Sequence, residues 1–136
     1  PCTYLSNAGA RHLWKGHKLN TERYAKGLKA KEFFLNFINA DCNRICVENP
    51  VPSKIYSLPQ YTQIIQPYEF GHPYSKKTCL WLKGLQILKP TNIVPEDERQ
   101  STKIAGNWFN KGGKNRQRNR AKTFPGIAKA MAEQWS

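Results

Sequence analysis

Acidic residues are scarce in this chain. Nine Asp and Glu stand against 22 Lys and Arg in 136 residues, a formal net charge of +13. A field of that sign draws polyanions and speeds their encounter, which points to nucleic acid as the partner. Long hydrophobic runs are missing too. No stretch approaches the roughly 18 apolar residues a membrane-crossing helix needs, and the basic residues do not lie on an amphipathic helix with bulky apolar anchors. A membrane is therefore not an expected partner. The four cysteines, Cys2, Cys42, Cys46 and Cys79, form no Cys-x-x-Cys pair, which excludes zinc-ribbon geometry. Cys2, His12 and His17 lack a fourth ligand, so no metal site is expected. No Gly-x-Gly follows a strand signal, so a glycine-rich nucleotide loop is lacking. There is no internal repeat.

What is present fits a folded protein. The hydrophobic fraction is 39%, with four Trp, six Tyr and six Phe, too apolar for a disordered chain. A chain of this length defaults to a single domain, 1–136, with one core. Residues 1–19 carry Pro1, Asn7, Gly9 and Gly16 without a period and are expected as loop. Asn20 or Thr21 caps a helix whose stripe is Tyr24, Gly27, Ala30, Phe34 and Phe37, broadened by Leu28, Phe33, Leu35 and Ile38; it should end near Asp41. Arg44 to Val47 is a short β-type run broken by Asn49-Pro50. Residues 51–60 are loop-like, 61–66 a strand, 70–75 a turn. Residues 78–82 are apolar enough for a strand buried on both faces. Cys42, Cys46 and Cys79 are expected as small buried hydrophobes.

A strand, a helix and a strand in succession predict an α/β fold with a parallel sheet, with antiparallel pairing at its edge. Functional residues would then lie just past the carboxyl ends of strands, where Cys2 and Glu48 are expected. From Lys89 to Lys122 the composition shifts: Pro90, Pro95, the acids Glu96, Asp97 and Glu98, then Gly112-Gly113 predict poor order. Lys111, Lys114, Arg116, Arg118, Arg120 and Lys122 follow without one intervening acid and are the expected DNA-contacting cations. Phe124, Ile127, Ala128, Met131 and Trp135 form a helical stripe over 124–135, with Thr123 as its cap and Pro125 in its first turn.

The residues that carry chemistry are Cys2 and Glu48. The C5 atom of cytosine is too electron-poor to take a methyl group directly. Addition of a thiolate at C6 turns C5 into an enamine-like nucleophile, and a carboxyl group hydrogen-bonded to N3 and the exocyclic amine stabilises charge in the ring. Cysteine suits the first role because its thiolate is accessible near neutral pH when cations or a dipole favour it. In a duplex the base must first be flipped out of the stack.

Pro1-Cys2-Thr3-Tyr4-Leu5-Ser6 resembles the Pro-Cys-Gln-x-Phe-Ser loop of the cytosine-5 DNA methyltransferases, with Thr3 for Gln and Leu5 for Phe. Val47-Glu48-Asn49-Pro50 is similar to that family's Glu-Asn-Val element. Phe70-Gly71-His72-Pro73-Tyr74-Ser75-Lys76-Lys77-Thr78 resembles its Tyr-Gly-x-Pro-Gln-x-Arg-x-Arg, with Lys76 and Thr78 at the two arginine positions. The 124–135 helix resembles the family's last helix. The likeness is nearest to the compact phage and prophage branch.

The resemblance implies a truncated Rossmann-like methyltransferase fold, with a mixed sheet and flanking helices. It implies methyl transfer from S-adenosylmethionine to C5 of cytosine in DNA, with Cys2 as nucleophile and Glu48 gripping the base. Pro1, Ser6, Asn49, Lys76 and Thr78 would contact the target nucleotide. A bacterial cytoplasm is the implied setting. The glycine-rich cofactor loop of the family precedes its nucleophile loop, so Pro1 is expected to open the C-terminal portion of a longer protein, or of one half of a split enzyme completed by a cofactor-binding partner chain. S-adenosylmethionine would bind only with that missing segment. A catalytically degenerate DNA-binding or interaction domain is the alternative.

Overall fold

A computed structural model describes residues 2–101 and 114–136, with the side chain of Arg116 outside the description. The chain is a mixture of helix and sheet. It divides into two compact units, each drawn from separate stretches: residues 1–64 with 77–87, and residues 65–76 with 88–136.

In the first unit the expected opening loop is instead a string of short elements. Helix α1 (Cys2–Leu5) leads into a 3-10 turn over Asn7–Leu13. The two-residue strands β1 (Trp14–Lys15) and β2 (Lys18–Leu19) follow as an antiparallel hairpin. Gly16 sits in its tight turn with φ of +62°, which a residue lacking Cβ adopts readily. Helix α2 (Thr21–Ile38) begins where expected: the Asn20 side chain accepts from the Arg23 N–H. It stops short of Asp41, with Asn39 as its C-cap.

Only part of the apolar stripe of α2 is buried. Gly27, Ala30 and Phe34 face inward, while Phe33 and Phe37 stand half-exposed as an edge-to-face pair with centroids 4.8 Å apart. The inward face packs on a three-stranded sheet of order β3-β6-β4, built from β3 (Ile45–Pro50), β6 (Thr78–Lys83) and β4 (Gln63–Ile65). As its apolar run predicts, β6 is central, with Thr78 through Trp81 all buried. Trp81 anchors it. Phe34 and Tyr61 meet its ring edge-on at 4.9 and 5.9 Å, and its indole N–H donates to the Pro59 carbonyl at 2.7 Å. Leu5, Leu13, Tyr56 and Cys79 complete this core.

Two expectations about the sheet fail. The β3–β6 ladder is antiparallel over six residue pairs, not parallel. Strand β3 also continues through Glu48-Asn49 to Pro50 instead of ending at Val47. Proline lacks an N–H for a ladder, and it is tolerated here because β3 is an edge strand of the sheet. Residues 54–56, expected as loop, form a 3-10 turn closed by Ser57 in the left-handed region, φ 47°. Cys42, expected buried, is exposed, its thiol donating to the Arg44 carbonyl at 3.3 Å.

The second unit is small and loop-rich. Between β4 and β6 lies β5 (Tyr74–Ser75), which pairs in parallel with β7 (Gln100–Ser101). The acidic cluster Glu96–Glu98, expected to be poorly ordered, is a 3-10 turn. Basic helix α3 (Arg116–Ala121) precedes α4 (Pro125–Trp135). Phe124, not Thr123, occupies the N-cap of α4, with Pro125 at the first helical position. Its buried residues are Ile127 and Ala130, with Ala128 exposed, so the face is rotated slightly from the expected stripe. The Gln134 side chain exchanges two hydrogen bonds with the Lys89 backbone, at 2.8 and 2.9 Å.

Candidate functional site

The Cys2 turn, the Glu48-Asn49-Pro50 stretch and Thr78 lie far apart in sequence, and the first unit joins them through backbone. The Ser6 residue forms an isolated antiparallel bridge with Pro52. On either side of it Asn7 N–H donates to the Val51 carbonyl at 2.8 Å and Ser53 N–H to the Leu5 carbonyl at 2.7 Å. The turn carrying Cys2 is therefore stitched to the segment leaving β3. Two residues earlier, Pro50 stands opposite Thr78 in the ladder, Asn49 opposite Cys79 and Glu48 opposite Leu80.

The side chains divide into two groups. Cys2 and Glu48 are exposed. Ser6, Asn49 and Thr78 are 7%, 2% and 9% exposed and belong to the interior. The Asn49 amide donates to the Pro50 carbonyl at 2.6 Å, fixing the end of the strand. Alternation along β3 sets Val47 against the core cluster and sends Glu48 to the opposite face, beside Cys46. Cys46 senses that neighbour: its thiol is pushed up to about 11, first by burial and second by the Glu48 carboxylate. Helix α1, which carries Cys2, sends Leu5 into the core on the Val47 side. Backbone adjacency is thus present, while the side chain of Glu48 springs from the ladder face away from that core. The strand continuing through Pro50 is the reason, since Glu48 sits inside the ladder instead of past its end.

One residue that the sequence did not single out reaches the Cys2 turn. The Arg23 guanidinium, from the first turn of α2, donates to the Thr3 carbonyl at 3.2 Å and lies over the Tyr4 ring, 5.2 Å from its centroid. No spacing rule links position 23 to position 3, so this contact was illegible in the sequence.

In the second unit, Lys76 gathers with the basic segment. Its ammonium donates to the Arg120 carbonyl near the end of α3 at 2.7 Å and lies 6.0 Å from the centre of the Phe124 ring. A cation there meets the negative end of the helix. Lys114, Arg118, Arg120 and Lys122 are all exposed. Arg116 lies on α3; Pro1 and Lys111 fall outside the described residues. His72, expected as a plain turn residue, has a specific partner: its Nε2 accepts the Gly126 N–H of α4 at 2.9 Å. Burial lowers its pKa.

Among the described residues no glycine-rich loop leads from a strand into a helix. Among the described residues no helix is long and apolar enough to cross a membrane. No family model matches the chain, and no curated protein or solved structure matches it.

Proposed function

We propose that this chain is the cytosine-engaging portion of a DNA cytosine-5 methyltransferase, built on a truncated Rossmann-like fold. The observation that carries this reading is the joining, in one unit, of the Cys2 turn, the Glu48–Pro50 stretch and Thr78, the last residue of the third motif: Ser6 is bridged to Pro52, and Pro50 stands opposite Thr78. The exposed Cys2 thiol adds to C6 of a flipped cytosine. The thiol proton leaves to solvent as the Sγ–C6 bond forms, the C5=C6 pair shifts to C4=C5, the C4=N3 pair moves onto N3, and the Glu48 carboxyl gives N3 a proton, leaving an enamine at C5. Lys76 and the α3 cations, in the second unit, hold DNA phosphates. The cofactor is held outside residues 1–136, by a further segment of a longer chain or by a partner.

The complete protein, incubated with labelled S-adenosylmethionine and duplex DNA, is expected to yield labelled 5-methylcytosine, and its Cys2→Ser form none. Absence of label with the unaltered protein would reject the reading. A second reading has its own support in the burial of Ser6, Asn49 and Thr78 and in the face from which Glu48 projects. On that reading the domain binds DNA without turnover. It predicts salt-sensitive DNA binding that Cys2→Ser leaves intact and no covalent adduct under any condition.

A further inference from the structure

We propose that Arg23 is a positioning residue for the Cys2 thiol; the inference rests on the reading of Cys2 as nucleophile. Three features converge on the turn that carries it. The Asn20 cap fixes the Arg23 backbone at the start of α2, so the side chain leaves from a set point. The guanidinium then donates to the carbonyl of Thr3, the residue directly after Cys2, at 3.2 Å. Its Cζ lies over the ring of Tyr4, the next residue along, 5.2 Å from the ring centre. Gly9 leaves room for this arrangement: a Cβ there would stand 2.6 Å from the Thr3 oxygen and 3.3 Å from the Arg23 Nη2. The turn itself is short, closed by Ser6 N–H to the Cys2 carbonyl at 3.0 Å. A four-residue helix has little stability of its own. A cation that both bonds its backbone and lies over its ring supplies the missing constraint. Lysine would replace the rigid guanidinium fork with a compact ammonium on a flexible stem, and so hold the two contacts less firmly. The role is therefore geometric, and separable from the charge.

The test uses the complete protein and duplex DNA in which 2-pyrimidinone replaces the target cytosine. That base lacks the 4-amino group and has a more electrophilic C6. The Cys2 Sγ–C6 bond forms, the π pair of C5=C6 takes a proton from solvent at C5, and the thiol proton leaves to solvent. No methyl donor is needed. The adduct is read as a band surviving denaturing electrophoresis, at saturating DNA so that affinity does not enter. The unaltered protein is expected to form it, with Arg23→Lys and Arg23→Gln both slower by about tenfold to a hundredfold, the loss typical of a reacting group displaced by about 1 Å. Exchange of the Ser6 amide hydrogen should quicken in both variants, while the amides in the middle of α2 keep their protection. If Arg23→Gln loses the protection of α2, Tyr4→Leu, which removes only the stacking platform, decides the matter with a several-fold slowing. Arg23→Lys at the normal rate with Arg23→Gln slow would mean that charge matters and the clamp does not. Both variants at the normal rate would also overturn the positioning role. Either result leaves Cys2 as nucleophile. Failure of the unaltered protein to form any adduct removes that reading, and the role of Arg23 with it.

Discussion

At position 27 a helix-breaking residue is kept in the middle of an 18-residue helix. Glycine there costs about 1 kcal/mol relative to alanine through backbone entropy alone. The packing explains it: a Cβ at Gly27 would overlap the Oη, Cζ and Cε1 atoms of Tyr56, whose ring is 1% exposed. The overlap is with a fixed ring, not the tip of a flexible chain. Gly27→Ala is therefore expected to destabilise by about 2 kcal/mol despite its better helix propensity, read from the urea midpoint. Tyr56 itself carries a buried hydroxyl with no hydrogen-bond partner among the described residues. Burying such a group unpaired costs about 1–3 kcal/mol, so Tyr56→Phe should leave the midpoint unchanged or raise it. A drop of more than about 1 kcal/mol would mean the hydroxyl has a partner, such as an ordered water. The cysteines give a second check at this scale. The thiolate is the reactive form, and Cys46 is raised to about 11. Buried Cys79 is raised as well. Iodoacetamide at pH 8 should label exposed Cys2 and Cys42 well before Cys46 and Cys79, as read by peptide mapping.

Among the elements, α4 shows how much a sequence pattern carries and where it stops. Its period placed a helix over 124–135, and the helix is there from Pro125. The pattern did not reveal what holds its first turn. Gly126 packs so closely on the Phe70 carbonyl and the His72 ring that no Cβ would fit, and its N–H is satisfied by His72 Nε2 at 2.9 Å. The imidazole also lies 5.1 Å from the Phe124 ring. Only the neutral imidazole has a lone pair to accept with. The N-terminal end of α4 faces the imidazole, and Lys76 lies on the Phe124 ring beside it. Burial sets the folded pKa below the ordinary value of 6.5. The sign follows from linkage: the unfolded chain takes the proton first as pH falls. The contribution of His72 is full above about pH 6.5 and is lost as pH falls through the lower folded value. Protection of the α4 amides should decline from pH 7 to pH 5, and His72→Gln, which keeps an acceptor but does not titrate, should remove that decline. A decline that persists in His72→Gln would locate the titrating group elsewhere. The other elements divide along the same line. Helix α2 and strand β6 were legible because cap, period and apolar run are local signals. The extension of β3 through Pro50, the pairing of β3 with β6 and the stitching of Ser6 to Pro52 were not, because each is decided by a partner distant in sequence. Arg23 was hidden for the same reason.

For the molecule as a whole, charge is the property most directly readable, and the fold gives it a place. The excess of 22 basic over nine acidic residues is not evenly spread. Lys114, Arg118, Arg120 and Lys122 are exposed on or beside α3, and Lys76 is tied to the same helix through the Arg120 carbonyl. A contact formed across 44 residues unites the lysine from the motif-like turn with the basic segment. Composition alone would have kept them apart. Each phosphate neutralised by such a group releases condensed counterions, and affinity for duplex DNA then falls with salt by a slope of about 0.9 per contact on logarithmic axes. Changing Lys114, Arg118, Arg120 and Lys122 together to Gln removes four candidate contacts. The slope measured by fluorescence anisotropy between 50 and 300 mM salt should shrink by roughly 3 to 4. Lys76→Gln alone has two consequences, since its ammonium holds α3 as well as carrying charge. It should lower the slope by about one and also weaken protection of the α3 amides. Should the fourfold variant keep the slope of the unaltered protein, the phosphates are gripped by other cations, and the path of the DNA must be sought away from α3.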